Sequence, residues 1–86
     1  MNNIIITGTS RGIGFELVKL FSKAGYNVLA LSRNTSKIEE ENLSQVTSMP
    51  FDLLDSKAYS KVGTFILETW NGNVDYLINN AGCLIN

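Results

Sequence analysis

The chain has 86 residues, 44 % of them hydrophobic and 17 % charged, with a net charge of −1 and a pI near 5.2. That length fits one domain, and the balance of charge supplies no basic stripe for nucleic acid. A lone Cys83 and no His argue against an internal disulfide or a zinc site, and no apolar stretch nears the roughly 18 residues that span a bilayer.

Met1-Asn2-Asn3 lacks the charged region of a signal peptide. A soluble, cytoplasmic chain without nucleic-acid or membrane partners is therefore expected. The apolar run Ile4-Ile5-Ile6 predicts a buried strand over residues 3–7. Thr7-Gly8-Thr9-Ser10-Arg11-Gly12-Ile13-Gly14 follows it, and an amphipathic helix runs on from about Gly12 to Ala24. Phe15, Leu17, Val18, Leu20, Phe21 and Ala24 set its apolar face, and Gly25 stands where a C-terminal cap belongs.

A glycine-rich turn between strand and helix lets backbone N–H groups and the helix dipole face a phosphate. Its spacing separates the candidates. A Walker loop counted from Gly8 would need glycine at Ile13 and lysine at Gly14, and Gly-x-Gly-x-x-Gly would need glycine at Ser10. What remains is Gly-x-x-x-Gly-x-Gly. Gly8 suits the tight turn, Gly12 a close approach of backbone to pyrophosphate, and Gly14 close helix–strand packing. A glycine-rich connection without a ligand is the plain alternative.

Val28-Leu29-Ala30-Leu31 predicts a second strand, and its unbroken apolar run implies helices on both faces of a parallel sheet. Ser32 to Ser36 is a loop, and a short helix over about 36–44 turns Ile38 and Leu43 inward and Glu39-Glu40-Glu41 mostly to solvent. Val46-Thr47-Ser48-Met49 is a third strand, ended by Pro50-Phe51-Asp52. Asp55 or Ser56 can cap a helix over about 56–71, whose stripe of Ala58, Tyr59, Val62, Phe65, Ile66, Thr69 and Trp70 should pack on the sheet. Asn71-Gly72-Asn73 breaks it, and Val74 to Ile78 is the fourth strand. The pattern is βαβαβαβ, an α/β fold with right-handed crossovers. A nucleotide at the first turn implies strand order 3-2-1-4, with two helices on one face and the third on the other. That is half of a doubly wound, Rossmann-like sheet in a single domain, 1–86.

Three motifs make the sequence resemble the short-chain dehydrogenase/reductase family along its whole length. Thr7 to Gly14 is similar to that family's Thr-Gly-x-x-x-Gly-Ile-Gly turn, Asp52-Leu53 to its acidic position after the third strand, and Asn79-Asn80-Ala81-Gly82 to its Asn-Asn-Ala-Gly signature. The resemblance implies a dinucleotide cofactor held by Gly8, Ser10, Arg11, Gly12, Ile13 and Gly14, by Ser32 and Arg33, by Asp52 and Leu53, and by Asn79, Ala81 and Gly82. It also implies that Asp52 accepts from the adenine amine. Asn79 and Asn80 can brace the central strands through their amides, while Ala81 and Gly82 leave room for the cofactor. Without the resemblance, Asp52 reads as a loop or cap acid and the Asn-Gly stretch as a turn.

An NAD site usually places Asp or Glu about 20 residues past the glycine turn, on the ribose 2′-hydroxyl. Here that window reads Ser32-Arg33-Asn34. Arg33 offers a fork of donors for a 2′-phosphate, with Ser32 and Arg11 as further donors, so NADP(H) is expected over NAD(H). The alternative is that Arg33 is a solvated loop base and both cofactors bind alike.

The family's reaction needs Tyr with Lys four residues on, the Lys lowering the tyrosine pKa. Testing each Tyr, that slot holds Ala30, Gly63 and Asn80, so no catalytic residue is assigned. The expected reading is the cofactor-binding N-terminal portion, cut from a longer oxidoreductase that acts on a carbonyl or alcohol such as a 3-oxoacyl thioester or small ketone. The chain alone is then inactive. A stand-alone, non-catalytic nucleotide-binding or interaction module is the alternative. One sheet face carrying a single helix and an open strand edge also imply a homo-oligomer or marginal stability.

Overall fold

A computed structural model describes residues 2–80. The first strand, β1 (Asn3–Thr7), is buried at every position, as its unbroken apolar run requires. Helix α1 (Gly12–Lys23) follows, then β2 (Asn27–Ser32), α2 (Ser36–Glu41), β3 (Val46–Pro50), α3 (Ser56–Trp70) and β4 (Tyr76–Ile78). All strand pairs are parallel, in the order β3-β2-β1-β4. The expected topology and strand order are therefore present.

Register decides which side chains share a face. Tyr76, Ile4, Val28 and Val46 form one cross-strand row, and Leu77, Ile5, Leu29 and Thr47 form the next, pointing the other way. Ile4, Ile6, Val28 and Ala30 pack against Phe15 and Val18 of α1 and Ile38 of α2. Ile5, Leu29 and Leu31 pack against Trp70, with Val62, Phe65 and Ile66 of α3 half-buried around them. So α1 and α2 lie on one face and α3 on the other, as handedness requires. The Phe65 and Trp70 rings meet edge to face at 5.2 Å. An aromatic pair of that kind adds about 0.5–1.5 kcal/mol beyond its buried area.

Helix ends follow local chemistry. Tyr26 N–H donates to the Phe21 carbonyl at 3.0 Å and Gly25 N–H to that of Ser22 at 3.1 Å, the paired bonds of a Schellman cap. Gly25 sits at φ +91°, and the Phe21 and Tyr26 rings stack edge-on across the cap at 4.8 Å. Asp55, rather than Ser56, caps α3, its carboxylate accepting from Lys57 N–H at 2.9 Å.

Several boundaries and faces differ from expectation. Helix α1 ends one residue early, since Ala24 already belongs to the cap. Helix α2 stops at Glu41, not 44, because Asn42 takes the left-handed region at φ 50° and breaks the hydrogen-bond ladder. Leu43 remains half-buried against the core from beyond the helix. Strand β3 runs on through Pro50, which an edge strand tolerates. Strand β4 begins at Tyr76, not Val74, because Asn73 and Asp75 are engaged with the start of β1. There Asn3 donates through Nδ2 to the Asn73 carbonyl at 2.8 Å and through N–H to Asp75 Oδ2 at 2.8 Å. On the helices, Leu20, Tyr59 and Thr69 are exposed despite lying on the predicted apolar stripes.

Candidate functional site: a cleft at the carboxyl ends of the strands

Strands β1, β2 and β3 all point their carboxyl ends into one cleft of about 820 Å³. It lies beside β1, where the strand order reverses, the place where ligands bind in open α/β sheets. Gly8 and Ser10 line it from the first turn, and Ser32, Arg33, Asp52 and Leu53 from the ends of β2 and β3. Arg11 reaches it as well. The topology thus brings seven of the sequence-predicted residues to one opening.

The turn is pinned to its neighbours by hydrogen bonds. Thr9 is fully buried, its N–H and hydroxyl both donating to the Leu31 carbonyl, at 3.3 and 3.2 Å. The Thr7 hydroxyl donates to Asn79 Oδ1 at 3.0 Å and accepts from Asn80 N–H at 2.9 Å. Asn80 Nδ2 donates to the Gly8 carbonyl at 3.2 Å. Asn79 and Asn80 therefore hold the carboxyl end of β4 to the turn after β1, the bracing role expected of them. Thr9 was not among the predicted site residues, yet its position inside the glycine motif signals it.

The three glycines of the motif differ in what surrounds them. A Cβ on Gly14 would collide with the Gly8 carbonyl oxygen and come within 2.8 Å of Asn80 Nδ2, so this position packs helix against turn. A Cβ on Gly12 would meet nothing within 4 Å, but φ +65° disfavours any side chain there. Gly12 and Ile13 open α1 beside the cleft and do not line it, and Ile13 is exposed. The N-cap of α1, Arg11, makes no side-chain capping bond. Its first N–H groups are thus directed at the turn without an internal acceptor.

The charged groups are arranged for an anion. Arg11 and Arg33 are exposed at the cleft and, among the described residues, neither guanidinium has an ion-pair or hydrogen-bond partner. Ser32 is buried, and its hydroxyl donates to the Asn34 carbonyl at 2.8 Å. That bond fastens the loop that carries Arg33. Asp52 accepts from Leu54 N–H through Oδ1 at 3.0 Å, which leaves Oδ2 as an acceptor at the cleft edge. Lys37 and Leu54 line the cleft too, and sequence reasoning passed over both. Lys37 lies in the first turn of α2, four positions past Arg33, a spacing that could have drawn notice. Ala81 and Gly82 lie outside the described residues.

The donor set suits a phosphorylated nucleotide: backbone N–H groups at a helix start, two guanidiniums without partners, and a carboxylate oxygen at the rim. Comparison with known proteins agrees. The short chain dehydrogenase family pattern matches residues 2–86. A short-chain dehydrogenase of Penicillium crustosum is 36 % identical over 81 residues, covering 92 % of this chain and 30 % of that protein. A Dichelobacter nodosus protein named "probable NADP-dependent dehydrogenase" is 33 % identical over 82 residues, covering 92 % of this chain and 76 % of its own. Among solved structures, a 4-hydroxyisoleucine dehydrogenase complexed with NADH superposes with a TM-score of 0.80 at 28 % identity over 96 % of this chain and 35 % of that one. A metagenomic short-chain oxidoreductase in complex with NADP gives 0.78 at 28 % identity, over 95 % and 39 %. The chain spans less than a third of the Penicillium relative. On its strand order, its glycine turn and these matches, the chain belongs to the short-chain dehydrogenase family of oxidoreductases.

Proposed function

We propose that the chain is the NADP(H)-binding portion of a short-chain oxidoreductase. The observation that carries the cofactor choice is the pair of guanidiniums, Arg11 and Arg33, at a cleft whose β2 end offers no carboxylate. An acid there would accept from a free 2′-hydroxyl, whereas Arg33 presents planar donors matched to a 2′-phosphate. The comparisons include both an NADH and an NADP complex, so this preference rests on the residues of this chain.

Each group has a task in that reading. The N–H groups opening α1 receive the pyrophosphate, with Gly12 admitting its close approach. Asp52 Oδ2 accepts from the adenine amine and Leu53 covers the ring. Asn79 serves the nicotinamide side, a role that the sequence motif extends to Ala81 and Gly82. When bound, the nicotinamide supplies hydride exchange with a carbonyl or alcohol, a 3-oxoacyl thioester or small ketone being the substrate class proposed. The chain contains no Tyr-x-x-x-Lys, so it binds cofactor without turning it over. The relatives named above are dehydrogenases, which supports the oxidoreductase reading over a stand-alone binding module. Self-association through the apolar surface around β4 and a cytoplasmic setting, suited to the lone Cys83, complete the proposal.

Calorimetric titration of the chain with NADP⁺ and NAD⁺ tests it. NADP⁺ should bind about ten- to a hundredfold tighter, the range of a charge-assisted hydrogen bond. Arg33→Ala should erase most of that difference. Equal affinities in both proteins would overturn the preference.

A further inference from the structure

Tyr59 lies on the apolar stripe that the sequence assigns to the core, yet it is exposed, and its side chain is committed to a loop. Its hydroxyl donates to the Leu53 carbonyl at 3.0 Å, and its ring meets the Phe51 ring edge to face at 5.1 Å. Phe51 and Leu53 are the two neighbours of Asp52. The grip on Leu53 is the consequential one. Phe51 is held independently, its N–H donating to the Ser32 carbonyl at 2.8 Å and its ring half-buried against the core around Trp70. Leu53 and Leu54 are both exposed, so packing does not fix the loop beyond Asp52. The Leu53 carbonyl and the Leu54 N–H belong to one planar peptide, so the direction of one sets the direction of the other. Tyr59 holds the carbonyl end of that peptide, and Asp52 Oδ1 accepts from its N–H end at 3.0 Å.

Resting on the reading in which Asp52 accepts from the adenine amine, we propose that Tyr59 is a positioning residue for purine specificity: by fixing the Leu53–Leu54 peptide it orients the Asp52 carboxylate. With Oδ1 held by that peptide, Oδ2 stays presented to a 6-amino group at the cleft rim. Tyr59 itself does not line the cleft, so it acts through Asp52 and Leu53. Hydrogen bonds in series through one peptide also polarise one another, which strengthens the hold. Without the hydroxyl the peptide loses the anchor at its carbonyl. The carboxylate then samples other directions, and binding must bear the cost of ordering it.

Adenosine 5′-monophosphate and purine riboside 5′-monophosphate, titrated calorimetrically into the 86-residue chain, differ only in the 6-amino group. Neither carries a 2′-phosphate, so the contribution of Arg33 does not enter. The unaltered chain should prefer the adenosine ligand about tenfold, the low end for a hydrogen bond to a charged acceptor. Asp52→Ala should abolish this preference. Tyr59→Phe removes the hydroxyl and keeps the ring on Phe51. It should cut the preference to about threefold or less, through weaker binding of the adenosine ligand alone. The purine riboside ligand should stay within about twofold and the melting temperature nearly unchanged, since the lost bond lies at the surface. If Asp52→Ala abolishes the preference while Tyr59→Phe keeps it in full, or weakens both ligands equally, the role of Tyr59 is overturned and the adenine reading stands. If the unaltered chain does not distinguish the two ligands, the adenine reading fails and the role of Tyr59 falls with it. The preference for NADP⁺ over NAD⁺ is decided separately, by Arg33→Ala.

Discussion

Asn80 donates its side-chain amide to the carbonyl oxygen of Gly8 at 3.2 Å, across 72 positions of sequence. Through this bond the end of β4 sets the shape of the turn after β1. An Asn80→Ala chain loses the donor and leaves the carbonyl of a tight, crowded turn short of a partner. The expected loss is about 1–3 kcal/mol of unfolding free energy. Asn80→Asp should be worse than Asn80→Ala, since a carboxylate oxygen would face the carbonyl oxygen. Urea denaturation followed by Trp70 fluorescence ranks the three proteins, and Asn80→Asp unfolding later than Asn80→Ala would contradict the bond's polarity.

Gly14 and Gly12 separate packing from conformation. At Gly14 an added methyl meets the Gly8 backbone, so the start of α1 or the turn must move. Overpacking of this kind costs about 1–3 kcal/mol. At Gly12 the space is open, and only φ +65° opposes a side chain, at about 1–2 kcal/mol. Gly14→Ala should therefore lower the denaturation midpoint at least as far as Gly12→Ala. On the proposed reading, in which the pyrophosphate approaches the backbone at Gly12, Gly12→Ala should instead show the larger loss of nucleotide affinity for a given loss of stability. Paired denaturation and calorimetry of both variants would expose the reverse ranking.

Much of this architecture is legible in the sequence because single signals were enough. Ile4-Ile5-Ile6 and Val28 to Leu31 are too apolar for a half-wet sheet, and two buried strands joined by helices leave few topologies. The glycine spacing removed the competing phosphate loops, and the cleft indeed brings Gly8, Arg11, Arg33 and Asp52 together. Other features depend on tertiary relationships that periodicity does not encode. Leu20 and Leu77 match apolar patterns, yet they are 60 % and 64 % exposed, because no described element covers them. Strand β4 starts two residues later than its apolar run because Asn3, far away in sequence, engages Asn73 and Asp75. Ser32 donates to a carbonyl two residues along, a bond within the loop that no pattern in the sequence announces.

At the opposite end of the sheet, amides form a directional chain. Gln45 Nε2 donates to Asn27 Oδ1 at 3.2 Å, Asn27 Nδ2 to Asn3 Oδ1 at 2.9 Å, and Asn3 Nδ2 to the Asn73 carbonyl at 2.8 Å. These bonds tie the starts of all four strands together. Asn27→Ala breaks two of them and strips the donor from Asn3, which is buried. A loss of about 1–3 kcal/mol is expected. The site lies a strand length away, about 16 Å at the rise of an extended chain. Nucleotide affinity of the folded fraction should therefore be unchanged. A parallel loss of affinity in calorimetry would mean that the two ends are coupled.

Association should respond to Leu77. This side chain shares a row with Ile5 on the α3 face, but it is 64 % exposed where Ile5 is buried. The difference arises because α3 packs over β1, β2 and β3 through Trp70, Phe65 and Ile66 and leaves the β4 margin open. Within the described sheet β4 is also an edge strand, so apolar surface and unpaired backbone groups coincide along it. Leu77→Glu places a charge on that surface without touching the core, and like charges on two copies would oppose each other. Sedimentation velocity should show self-association in the unaltered chain, and a shift toward monomer in Leu77→Glu at equal concentration. Circular dichroism should show the helical content of the two to be the same. An undiminished oligomer in Leu77→Glu would move the contact surface elsewhere, with the exposed Ile13 and Leu20 of α1 the next residues to alter.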